Sequence, residues 1–389
     1  MENFTLEKTA ACALNRIFGY EPRYALGLIR TLGSAKAVFE LPSCELKRLP
    51  GPCKRFADSI SRQALDEAAD ELERLERDGC RFVPITDDAY PQLLKACEDP
   101  PAGLYVRSAD PPEIIFNGKK AVAVVGTRDI SPYGREWTAR IVQAVARTPE
   151  RPTIVSGLAF GVDIHAHLSA LECGLPTIAV LPVGIDDVYP ARHRGIAEKI
   201  ASAPGSALVT DYPPGTGAAA FTFLRRNRII AGLSGATILV ESRIKGGGLI
   251  TCRLADGYGR DVFVLPGRID DSRSAGCNLL LAEKLAEPIT DINLLGRQLG
   301  LGRITDGGVR SFDSCVAAFY SGKTGESERD GLVSLASLIR RHRGADTEEL
   351  CSLIGKTRGE VLRLAGILES DGFISTDLLG RCTINPKNT

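Results

Sequence analysis

Apolar and polar positions run along this chain with two different periods. Over the first eighty residues the spacing is helical. Leu65, Ala69, Leu72 and Leu75 recur three and four apart, interleaved with Asp66, Glu67, Asp70, Glu71, Glu73 and Glu76, which predicts an amphipathic helix with an acidic outer face. Leu6 to Phe18, Pro22 to Leu32, Ala35 to Phe39, Cys44 to Arg48 and a long stretch from Cys53 to Arg77 read as helices, with stops at Leu32-Gly33 and at Leu49-Pro50-Gly51-Pro52. From Cys80 the character changes to short, β-branched apolar runs. Arg81 to Thr86 and Gly103 to Arg107 read as strands.

From Ala121 strands and helices alternate. Strands are expected at Ala121 to Val125, Thr153 to Val155, Thr177 to Leu181, Ala207 to Thr210, Ala236 to Glu241 and Asp261 to Leu265. Between them the pattern predicts helices at Gly134 to Ala146, Val162 to Cys173, His193 to Ala201, Leu224 to Leu233 and Gly248 to Tyr258. Repeated β-α pairs imply an α/β fold, an extended Rossmann-like, largely parallel sheet covered by helices on both faces, with ligands bound beyond the carboxyl ends of the strands.

Those carboxyl ends carry candidate chemistry. Gly126 breaks the first run just before Thr127 and Arg128, two side chains able to hold an anion. Ser156, Gly157 and Gly161 let the backbone pass close to a ligand, and the N–H groups of a helix from Val162 would point at it. Tight strand-to-helix packing is the plainer account of the same glycines. Further along stand Arg192-His193-Arg194, then Phe223 with Arg225, Arg226, Asn227 and Arg228, then Lys245-Gly246-Gly247-Gly248. An aromatic beside several arginines has the composition of a single-strand binding surface, with arginine for phosphates and the ring for bases.

Composition narrows this. The 389 residues, 44% hydrophobic and 25% charged, suit a globular protein of several domains. With 48 basic and 48 acidic residues no global field attracts nucleic acid, so a local patch must do it. Lys119-Lys120 and Arg340-Arg341-His342-Arg343 join the clusters above as candidates, each with a solvated surface as its ordinary reading. The 11 cysteines include no Cys-x-x-Cys pair, which argues against zinc and a disulfide scaffold and for reduced thiols in the cytoplasm. The start Met1-Glu2-Asn3-Phe4-Thr5 lacks a basic leader, and no run reaches membrane-spanning length, so no membrane contact is expected. Asp163 and His167 share a helical face, but nothing completes a ligand shell with them and His165. They are expected to bond to the phosphate loops rather than to hold a metal. No cofactor and no nucleophile-base-orienter set is visible, so the chain is not read as an enzyme. Ser321-Gly322-Lys323-Thr324 lacks the preceding glycine and strand of a phosphate-binding loop and is rejected as one.

Val125-Gly126-Thr127-Arg128, the Ser156-Gly157-Leu158-Ala159 turn with Gly161-Val162-Asp163 and Ala166-His167, Tyr189-Pro190, Phe223 to Arg228, the Lys245 loop to Thr251, and Val264-Leu265-Pro266-Gly267 together resemble the DNA processing protein A (DprA/Smf) family, over about Cys80 to Asp291. The resemblance implies a dimeric single-stranded DNA-binding factor that protects single strands and helps load the recombinase RecA in natural transformation. It would place Gly126, Thr127, Arg128, Ser156, Gly157, Gly161, Asp163, Phe223, Arg226, Asn227, Arg228, Lys245, Gly246 and Gly248 in a phosphate pocket and its rim, with Arg192 or Arg194 beside the Tyr-Pro turn. Phe160 stands where the family usually has arginine, Leu224 where it often has proline, and Gly247 where it usually has serine.

The flanks also resemble known modules. Residues 1–78 are similar to SAM-like or helix-hairpin-helix domains. Residues 79–297 form the extended Rossmann domain, 298–330 a linker, and 331–389 a unit of three helices and a hairpin resembling a winged helix, which either reads duplex DNA or mediates protein contact. The alternative is a nucleotide-processing Rossmann enzyme. Its expected glycine loop with a catalytic glutamate is missing, and Glu241 alone sits near a glycine loop.

Overall fold

The computed structural model describes residues 2–19, 21–48, 53–118, 120–304, 312–342, 344–377 and 380–385. Leu49, Pro50, Gly51, Pro52, Lys119 and Arg343 lie outside the described residues. The chain divides into two compact units, Met1–Thr305 and Asp306–Thr389.

The first unit is built on a nine-stranded sheet. Its strands are β1 (Cys80–Pro84), β2 (Gly103–Arg107), β3 (Ala121–Val125), β4 (Thr153–Ser156), β5 (Thr177–Val180), β6 (Ala207–Thr210), β7 (Ala236–Leu239), β8 (Asp261–Val264) and β9 (Glu287–Pro288). Their order is β1-β2-β6-β5-β4-β3-β7-β8-β9. β1 and β2 pair antiparallel and β2 joins β6 antiparallel; all other pairs are parallel. β4, β5, β6 and β7 are buried along their whole length, as strands sandwiched between helix layers must be. The chain winds from β3 outward to β6, then crosses back to β7 on the other side of β3. The crevice at the carboxyl ends of β3 and β7 is therefore the switch point of the sheet, where such folds receive ligands.

Most expected elements appear within a few residues of their bounds. The long 53–77 helix is instead two, Cys53–Phe56 and Arg62–Arg77, because the Ser61 side chain accepts the Ala64 N–H and starts a new helix. The acidic face of that second helix is also not wholly outward. Glu71 is buried, accepting hydrogen bonds from the Tyr105 hydroxyl at 2.7 Å and from Arg16 Nη1 at 3.1 Å. It ties the Glu2–Ile17 and Arg62–Arg77 helices to β2, and their apolar faces share one core with the sheet.

In the second unit Phe312–Phe319, Glu326–Arg341, Thr347–Ile354 and Arg358–Ser370 are helices, followed by an antiparallel pair, β10 (Ile374–Thr376) and β11 (Cys382–Ile384). Phe312 and Val316, within the 298–330 stretch, are buried with Leu332, Leu335, Leu364 and Phe373. Asp346 caps its helix by accepting the N–H groups of Glu348 and Glu349.

Candidate nucleic-acid interface

Two glycine turns cross at the switch point. Thr127 N–H donates to the Glu241 carbonyl at 2.8 Å, and the Thr127 carbonyl accepts the first helical N–H of Val162–Glu172 at 3.1 Å. Gly161 makes the crossing possible. Its φ is +78°, and a Cβ there would stand 2.1 Å from the Thr127 oxygen. The Val162 N–H is thus spent inside the protein, contrary to the expectation that it faces a ligand. Ser156 is buried and its hydroxyl donates to the Val124 carbonyl at 2.7 Å. Burial pushes the Asp163 carboxyl up. The Arg226 charge and the N–H groups of Ala159 and Gly157 act against that rise, so an internal carboxylate already occupies part of this cradle.

Arg226, expected on the rim, is interior. Its Nη1 donates to the Gly157 carbonyl at 2.6 Å and to the Val180 carbonyl. A Cβ at Gly157 would lie 2.0 Å from that nitrogen, so the glycine makes room for the guanidinium rather than for a ligand. Burial pulls Arg226 down to about 10, with Asp163 opposing, and it stays charged at neutral pH. Arg228 is likewise buried, paired with Asp211 and donating to the Asp99 carbonyl. Asn227 is buried and reaches the Gly247 carbonyl at 3.5 Å. An isolated buried cation is too costly to leave unpaired, so these side chains brace loops instead of meeting solvent. His167 also departs from expectation. Its Nδ1 lies 2.7 Å from the Thr177 hydroxyl, which itself donates to the Ile154 carbonyl, so the ring bonds to β5 and not to the loops. Burial pulls its pKa down to about 3.

What remains exposed is a compact aromatic and cationic cluster. The Arg128 guanidinium lies over the half-buried Phe223 ring at 4.7 Å, and the Tyr189 ring meets Phe223 edge-on at 5.2 Å. Phe223 is within the first turn of the Ala220–Leu233 helix. That helix begins four positions ahead of Leu224 because the Thr222 hydroxyl accepts the Ala219 N–H. Phe160 is exposed and meets His193 edge-on at 4.8 Å, while His193 Nδ1 donates to the Leu158 carbonyl at 2.7 Å. Gly246 caps the Gly247–Gly257 helix, Gly248 is buried against Gly126, and Lys245 is exposed. Arg192 and Arg194 are both exposed, but Arg194 is paired with Asp187 at 3.3 Å. Among the described residues no carboxylate is within ion-pair distance of Arg128, Arg192 or Lys245. Sequence reasoning missed the Tyr189 ring as a participant, and missed Arg243 and Arg273, which both reach Asp129 beside Arg128. The Tyr-Pro pair was the signal for the first; nothing local announces the others.

The chain is similar to known proteins over the region that carries this site. The family described as DNA recombination-mediator protein A is matched over residues 81–300, more than half of the chain. The chain belongs to that family. Protein Smf of Synechocystis sp. is 38% identical over 237 residues, 61% of this chain and 58% of that protein, so the match spans less than two thirds of its length. The structure of DNA processing protein A from Streptococcus pneumoniae is similar with a TM-score of 0.57 and 28% identity, covering 77% of this chain and 97% of that one. DNA processing protein A from Helicobacter pylori, whose solved structure addresses its single-stranded DNA binding mode, is similar with a TM-score of 0.50 and 30% identity, over 56% of this chain and 96% of that one.

The recombination-mediator family is not one of enzymes, and Glu241 in this member is spoken for. Its buried carboxylate accepts the Ser131 N–H at 2.9 Å and the Ser131 hydroxyl, and Ser131 in turn caps the Pro132–Ala146 helix. A carboxylate so held at a helix N-terminus is a structural brace. Among the described residues no three His, Cys, Asp or Glu side chains gather as metal ligands, and no helix is long and apolar enough to cross a membrane.

Proposed function

We propose that this chain binds single-stranded DNA, protects incoming or exposed strands and helps load RecA recombinase in DNA uptake and recombination, acting as a cytoplasmic homodimer without cofactor. The observation that carries the reading is the exposed Arg128–Phe223–Tyr189 cluster at the switch point, to which the exposed Lys245 and Arg192, without an ion pair among the described residues, add candidate phosphate contacts. Phosphates would meet Arg128, Lys245 and Arg192, the last preferred over Arg194, whose charge Asp187 already engages. A base would lie against Phe223. Gly126, Thr127, Ser156, Gly157, Gly161, Asp163, Arg226, Asn227, Arg228, Gly246 and Gly248 act by holding the loops in register.

The N-terminal helices serve as a SAM-like module and the last residues as a winged helix. In the latter Arg363 pairs with Glu328 and Arg358 approaches Glu348 at 4.0 Å, while Arg340 and Arg341 are exposed at the end of the Glu326–Arg341 helix. The test is titration of labelled oligonucleotides over a salt series. Arg128→Ala and Lys245→Ala are each expected to weaken binding for all base sequences alike and to flatten the log–log salt slope by about 0.7. Salt-independent binding, or a loss confined to particular bases, refutes the assignment.

A further inference from the structure

Phe160 is an exposed ring that the cluster around Phe223 does not use. It is 41% exposed, yet its backbone is held from both sides. The carbonyls of the three residues before it are all engaged. Gly157 accepts from Arg226 Nη1 at 2.6 Å, Leu158 from His193 Nδ1 at 2.7 Å and Ala159 from the Ile164 N–H at 3.1 Å. After it, Gly161 packs so closely on the neighbouring turn that a Cβ there would stand 2.8 Å from Arg128 Cα. A large apolar side chain is thus presented to solvent from a turn with little freedom to withdraw it. The ring meets His193 edge-on at 4.8 Å. A T-shaped contact engages an edge or one face of a ring, so it leaves at least one face of Phe160 uncovered.

We propose that Phe160 is a second base-stacking platform, taking a base of a bound single strand other than the one on Phe223. It rests on the single-strand reading above and adds a second ring to it. The short segment 189–193 carries a partner for each ring, since Tyr189 meets Phe223 and His193 meets Phe160, with the exposed Arg192 between them in the chain. Arg128 adjoins both, with its guanidinium over Phe223 and its backbone against Gly161. Rings set among cations are what a strand needs, because it brings a phosphate with every base. An apolar protein surface laid over Phe160 would instead desolvate Arg128 and Arg192 without supplying an anion to either. The turn is already ordered before the strand arrives, which lowers the cost of binding. Because every base offers a π-face, this platform adds affinity without base preference.

The experiment titrates the full chain with labelled oligo(dT) of about 15 nucleotides and with an abasic strand of the same length, over a salt series and at equal folded fraction. Phe160→Leu, which keeps an apolar contact for His193, should weaken oligo(dT) about tenfold with an unchanged salt slope, and should leave the abasic strand as in wild type. Phe160→Trp, whose ring also stacks, should hold wild-type affinity. Combined with Phe223→Leu, the two losses should multiply to about a hundredfold, because the rings hold different bases. Unchanged oligo(dT) affinity in Phe160→Leu, an equal loss on the abasic strand, or a double variant no weaker than Phe223→Leu alone overturns the second platform. With wild type still binding oligo(dT), the single-strand reading then stands. A wild type that binds neither strand overturns both.

Discussion

Arg128 and Arg226 look alike in the sequence, yet one lies over a ring in solvent and the other is locked beneath a turn. The difference sets what each should do when changed. Phe223 separates packing from binding because it is half-buried and its ring meets two exposed side chains, Arg128 and Tyr189. Phe223→Leu is expected to keep the melting temperature while costing about 1–3 kcal/mol of single-strand affinity. A fall in melting temperature with affinity unchanged at equal folded fraction would assign the ring to the core. His167 makes a pH prediction. Its folded pKa, near 3, lies below the ordinary value of 6.5, so the unfolded chain takes up the proton first. This contribution to stability is complete above about pH 6.5 and is lost as pH falls toward 3, amounting to about 2 kcal/mol between pH 7 and pH 5. Denaturant titrations at the two pH values should show that loss in wild type and not in His167→Gln. Buried Asp163 and Asp211, both pushed up, work in the opposite direction, which is why the comparison between the two chains and not the raw slope is diagnostic.

At the scale of elements, the site is a crossing of turns rather than a row of helix N-termini. The β3 and β4 turns touch at Gly161, and the next residue but two before it, Leu158, also sits at a left-handed φ of +55°. Two inward donors pin this turn, Arg226 on the Gly157 carbonyl and His193 on that of Leu158. Gly161→Ala should cost about 1–3 kcal/mol from the backbone conformation alone. The overlap with Thr127 and Arg128 adds to that, and because Arg128 is displaced, oligonucleotide binding should fall together with melting. Unchanged binding in a destabilised Gly161→Ala would show that the crossing does not position Arg128.

At the scale of the whole molecule, the exposed cluster belongs to the first compact unit. A chain ending at Thr305 is expected to unfold cooperatively and to keep its affinity for single strands. A folded truncation that no longer binds would move the interface to the second unit. In the second unit Arg358 and Arg363 are engaged by glutamates, and the isolated unit should show no appreciable preference for duplex.

The sequence by itself determined the alternation of strands and helices, the parallel character of the sheet and the turns that end β3, β4 and β7. These follow from local rules, period, β-branching and glycine, that act over a few neighbouring residues. It also sufficed to group Arg128, Phe223 and Lys245 at carboxyl ends of strands. Only the tertiary structure decided which charges remain outside. Arg226, Asn227 and Arg228 occupy consecutive helical positions that no local pattern marks as interior, and their burial depends on Gly157, Asp211, Asp99 and Gly247, all distant in sequence. Desolvation is paid or avoided according to what the fold brings alongside a side chain, and that is a property of the packed chain rather than of the segment.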